Sequence, residues 1–131
     1  MTRFVTIAFV ACFVIGCGGD HKLNAVGRVV KGGTPFTVPP DDFVKVVFVP
    51  YTEPGVQPRM SYICDYDNAA GTFKAIGPDL KGIPPGKYRV AVTHERNKKD
   101  LFKGAYDLPK TPFVVDVDSS TKDIVIDLDK K

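Results

Sequence analysis

The sequence predicts an all-β fold, a seven-stranded antiparallel sandwich with Greek-key connections, preceded by a signal peptide. Three observations point there. Short Val-rich runs alternate apolar and polar residues, the period of a strand with one buried and one wet face. Gly and Pro, at 12 and 11 residues, punctuate those runs as turns. From residue 25 onward no stretch sustains the i, i+3, i+4 apolar spacing of an amphipathic helix. With 131 residues the chain has room for one domain and not two. An open barrel is the architectural alternative.

The runs come in order. Ala25–Lys31 ends at Gly32-Gly33, with Ala25, Gly27 and Val29 on its inward side. Thr34–Asp42 carries Pro35, Pro39 and Pro40 and reads as a loop or edge segment. Phe43–Val49 is stopped by Pro50, and Glu53-Pro54-Gly55 marks a turn. Arg59–Tyr66 places Met60, Tyr62, Cys64 and Tyr66 on one face. Asp67–Gly71 turns into a short strand over Gly71–Ile76. After the Pro/Gly-rich connection Gly77–Gly86, the strand Gly86–Thr93 aligns Tyr88, Val90 and Val92. A polar loop follows from Glu95 to Lys103 and runs on to Pro109. Phe113–Val117 and Asp123–Leu128 finish the set, the last pointing Ile124, Ile126 and Leu128 inward.

Residues 1–16 read differently. Arg3 supplies a positive start, and Phe4–Ile15 is apolar apart from Thr6, too short for comfortable spanning as a helix. The run closes on Val14-Ile15-Gly16-Cys17. That ending resembles the bacterial lipobox, which implies a diacylglyceryl group on the Cys17 thiol and cleavage before it. An ordinary signal peptide or a short anchor is the other reading. The expected division is therefore a lipoprotein signal at 1–16, lipidated Cys17 and a tether at 17–24, and the sandwich at 25–131. The implied location is the cell membrane or outer membrane, with the domain facing the periplasm or the exterior. Cysteines agree with it: Cys12 falls in the signal, Cys17 at the lipid site, and Cys64 alone in the body, so no internal disulfide is expected. Between Ile63 and Asp65, Cys64 reads as a small buried hydrophobe rather than a nucleophile.

Two segments carry a family resemblance. Ala25-Val26-Gly27-Arg28-Val29 with Gly32-Gly33 and Val46–Pro50 resembles the opening of a carboxypeptidase regulatory-like domain. Asp67, Gly71, Phe73 and the string Gly82-Ile83-Pro84-Pro85-Gly86-Lys87-Tyr88-Arg89-Val90 resembles its centre. The resemblance implies the transthyretin-like (prealbumin-like) sandwich of small planctomycete-type lipoproteins. Physically the string is a strand-entry corner. Pro84 and Pro85 stiffen the approach, Gly86 permits positive φ, and Tyr88 enters the core with its hydroxyl within reach of a loop carbonyl.

Chemistry-bearing residues are sparse. The two histidines are His21, in the tether, and His94, which reads as a solvated residue at a strand end. The serines Ser61, Ser119 and Ser120 lie outside any nucleophile elbow, and no phosphate-binding or dinucleotide fingerprint occurs. The hydroxyisourate-hydrolase ending of some transthyretin-like relatives is missing. The Lys pairing of isopeptide-forming relatives is not offered by the inward faces, leaving only Lys31 with an Asp open. No catalytic residue and no cofactor are expected. Asp116, Asp118 and Asp123 are weak Ca²⁺ candidates, with a solvated edge the plainer reading. Arg96–Lys99 and Lys103 keep a loop soluble or meet anionic lipid or glycan. The net charge of +3 falls to about +2 without Arg3, too mild and dispersed for nucleic acid. The expected function is a lipid-anchored, non-catalytic envelope module acting through the membrane and an unknown protein or glycan. A small-ligand or Ca²⁺-binding lipoprotein is the alternative.

Overall fold

The computed structural model describes residues 21–130, which are all-β with no helix. The signal peptide and Cys17 lie outside the described residues. All seven expected runs hold strand. In chain order the strands are β1 (Ala25–Lys31), β2 (Thr34–Pro35), β3 (Phe43–Pro50), β4 (Tyr62–Ile63), β5 (Asp65–Asp67), β6 (Thr72–Ala75), β7 (Gly86–Arg96), β8 (Lys99–Asp100), β9 (Val114–Val117) and β10 (Ile124–Asp127).

They form two sheets. One has the order β10-β1-β6-β5, with β2 also on β1; the other has the order β4-β3-β7-β8, with β9 also on β7. Every pair is antiparallel except β1–β10, which run parallel with Gly27 opposite Ile124 and Val29 opposite Ile126. The longest ladder joins β3 to β7 from Phe43–Glu95 to Pro50–Tyr88.

Alternation decides what the two sheets share. Val44, Val46 and Phe48 of β3 and Tyr88, Val90 and Val92 of β7 are buried in one cluster with Val29, Phe73, Ala75, Ile124, Ile126 and Leu128 from the other side. Phe48 spans the gap, its ring 5.8 Å from both Phe73 and Tyr88. Burying a side chain of this size contributes about 1.5–3 kcal/mol. Gly27 lets the central strand fit: a Cβ there would lie 2.1 Å from the Ile124 carbonyl oxygen and 2.7 Å from the Phe73 ring.

Three expectations change. Arg59–Tyr66 is not one strand: the Tyr62 end pairs with β3, the Cys64 amide donates to the Val46 carbonyl, and Asp65–Asp67 pairs with β6 in the other sheet. The chain therefore crosses between sheets at buried Cys64, and Met60, ahead of the crossing, is 52% exposed rather than inward. The tether expected to run to residue 24 ends sooner. Leu23 and Ile83 exchange both backbone hydrogen bonds at 2.8 Å, and Leu23 packs on the core. The connection after Glu95 is also not simply a polar loop. Asn97 and Lys98, both at positive φ, close a tight β7–β8 hairpin, and Phe102 and Tyr106 then fold back onto the core.

Candidate functional site

The buried polar chemistry sits at the end of the β3–β7 ladder. Phe43 pairs with Glu95, so the next step outward sets Asp42 opposite Arg96. Even-numbered residues of both strands face inward, and that alternation carries Asp42 and His94 beneath the surface. The Asp42 carboxylate accepts from His94 Nε2 at 2.7 Å and from Arg96 Nε and Nη2 at 2.8 Å each. The bidentate guanidinium holds its pKa down at about 2; burial opposes this, and His94 assists. Phe36 and Phe102 stand edge-on to the His94 ring, at 5.4 and 5.7 Å.

Neighbouring groups fix the cluster. Asn68 Nδ2 donates to the Asp42 and Pro39 carbonyls, and the Asp42 amide donates to the Pro39 carbonyl. Asp100 accepts from the amides of His94, Phe102 and Gly104 at 3.2, 3.0 and 2.8 Å. Burial works against the Asp100 carboxylate, yet those amides hold its pKa below the ordinary value. His94 is thus buried and paired, not solvated, because its partner arrives from a distant loop. Asp42 is bonded to both His94 and Arg96, and among the described residues no Ser, Thr or Cys side chain hydrogen-bonds to any of the three. The arrangement ties the Thr34–Asp42 segment to β7.

The remaining sequence candidates are dispersed. Gly71, at φ +70°, meets the Phe36 backbone, where a Cβ would come within 3.0 Å. Phe73 is core. At the Pro84-Pro85-Gly86 corner, Gly86 has φ +150° and the Tyr88 hydroxyl donates to the Pro84 carbonyl at 2.6 Å. Asp118 accepts from the Ser120 amide and hydroxyl and the Thr121 hydroxyl, which lowers its pKa. Asp123 faces Arg28 at 3.0 Å, and Asp116 is exposed on β9. No group of three or more His, Cys, Asp or Glu side chains suited to a metal occurs among the described residues. Burial, with Asp65 adding to it, pushes the Cys64 thiol up to about 12. Lys31 is exposed.

A second concave feature went unread in the sequence. The Tyr51–Pro58 loop, Arg89, Leu108 and Pro109 line a groove of about 600 Å³ on the outer side of the β3–β7 sheet. Lys87 and Arg89 approach the Tyr51 ring at 5.6 and 5.2 Å from its centroid. The signal for it was the Pro-rich composition of 50–58, which reads equally as a plain turn.

No family model, curated protein or solved structure matches this chain.

Proposed function

We propose that this chain is an exported lipoprotein, processed to Cys17 and held by lipid on that residue. Its domain is then a non-catalytic module of the cell envelope, a seven-stranded Greek-key sandwich of the transthyretin-like, carboxypeptidase regulatory-like kind. Its partner is an envelope protein or glycan. The observation that carries the reading is the apolar run closing on Val14-Ile15-Gly16-Cys17. The bonding of the Asp42, His94 and Arg96 side chains to one another supports the non-catalytic part.

Cys17→Ser tests it. Thiolate is the nucleophile in thioether formation, and a hydroxyl at ordinary pH does not replace it. Burying acyl chains contributes about 0.8 kcal/mol per methylene, and two chains make attachment stable. Growth with labelled fatty acid should mark the wild-type protein, which stays with membranes through a high-salt wash. Cys17→Ser should lose the label and normal cleavage. Unlabelled wild-type protein in the soluble fraction would overturn the reading.

The Tyr51 groove favours a second reading, a small-ligand-binding lipoprotein. Its largely apolar lining, with the Arg89 guanidinium beside the Tyr51 ring and Glu53 on the loop, suits a small ring-bearing ligand. Thermal shifts on addition of aromatic acids, lost in Tyr51→Ala, would support it.

A further inference from the structure

The connection between β6 and β7 displays a leucine to water. Leu80 is 73% exposed, more than any other large apolar side chain described. Its backbone lies at φ +61°, a left-handed conformation unfavourable for leucine. Close backbone contacts hold the loop at its base. The Gly82 amide donates to the Ile76 carbonyl at 2.7 Å, and a Cβ on Gly77 would meet the Gly82 carbonyl oxygen at 2.2 Å. Gly82 in turn packs so close to Leu23 that a Cβ would lie 2.3 Å from the Leu23 carbonyl oxygen. Lys22 pairs with Asp79, and the Lys81 amide donates to Asp79. Leu80 is therefore held out from a fixed base built on the residues where the chain enters the sandwich.

That entry point is also where the anchor attaches. Five residues, Gly18–Lys22, separate Cys17 from the Leu23–Ile83 pair, a reach of at most about 20 Å. We propose that the Gly77–Gly82 loop is a membrane-docking finger, with Leu80 entering the lipid interface and Lys81 meeting anionic headgroups. This rests on the lipoprotein reading and names the surface the domain itself touches. A lipid surface removes the apolar exposure that water leaves unfavourable. His21, Lys22, Asp79 and Lys81 surround a shallow polar hollow beside the loop, at the height where headgroups would lie. The sandwich then stands end-on, and the Asp42–His94–Arg96 end faces away from the bilayer.

The chain has no Trp, so Leu80→Trp installs a single reporter at a site without core packing. Leu101→Trp, at a 44% exposed position just past β8, reports on the far end. Each processed, lipidated protein is reconstituted into vesicles of phosphatidylcholine and phosphatidylglycerol. The Leu80→Trp emission should shift to the blue and be quenched by brominated lipid, while the Leu101→Trp emission should do neither. Protein that does not float with vesicles overturns the anchoring and this inference together. Protein that floats with a water-like Leu80→Trp spectrum overturns the docking and leaves the anchor standing. Equal quenching at both positions overturns the end-on orientation.

Discussion

Asp42 gains its role from two residues 52 and 54 positions away, and its titration reports that role. Its folded pKa, about 2, lies below the ordinary 3.8, chiefly through Arg96. The folded state therefore binds fewer protons than the unfolded chain between those values. The clamp's contribution is complete above about pH 4 and is lost as pH falls through the folded pKa. Urea melts from pH 5 down to pH 2.5 should show a smaller loss of stability in Asp42→Asn than in wild type. Equal slopes would mean the carboxylate is not the group being protonated. Cys64 offers a second reading at this scale. Buried at the sheet crossing, with its thiol raised to about 12, it should react slowly with thiol reagents in the native protein and quickly in urea. Rapid native labelling would place the crossing at the surface.

Among the elements, the Pro84-Pro85-Gly86 corner shows what glycine does that no other residue can. A Cβ at Gly86 meets nothing within 4 Å, so space is no obstacle. The φ of +150° is the obstacle, a region costing about 1–3 kcal/mol for residues with side chains. Gly86→Ala should lower the melting temperature correspondingly, as followed by circular dichroism; an unchanged melt would put the strain elsewhere. This corner was legible in the sequence because Gly86 and Tyr88 are bounded by prolines and an alternating strand. The same alternation made β1, β7 and β10 legible with their inward faces. What escaped did so for physical reasons. β2 and β8 have two residues each, too few to show any period. The crossing at Cys64 preserves the alternation while changing the sheet, so pattern alone reads one strand. His94 continued the Tyr88–Val92 alternation and Asp42 continued that of Val44–Phe48. His94 looked wet because a polar residue at a strand end usually is, Asp42 closed a segment read as loop or edge, and the pairing that buries them spans two segments. Leu80 lay in a Gly/Pro-rich connection where one apolar residue carries no periodic signal.

For the whole molecule, closure depends on the C-terminal strand. β10 places Ile124 and Ile126 in the core beside β1, and Leu128 follows them, its amide bonded to the Val30 carbonyl. At about 1.5–3 kcal/mol for each buried side chain, their loss rivals the net stability of a domain this size. A chain truncated after Asp123 should show no cooperative thermal transition by far-UV circular dichroism, whereas the complete domain should give a β-rich spectrum and a single one. A sharp melt in the truncated chain would show that β1 and β6 suffice to hold that sheet.

The parallel β1–β10 pair also sets a timetable. Gly32 near the end of β1 donates to the Asp129 carboxylate, 97 residues along the chain. The central strand of one sheet thus waits for the last strand of the sandwich, and contacts this distant in sequence form slowly. A chain in which β10 has not yet emerged has β1 ready but lacks the neighbour that seals it. On the lipoprotein reading, this delay keeps the polypeptide threadable through a narrow export channel, and the sandwich locks only after β10 has crossed.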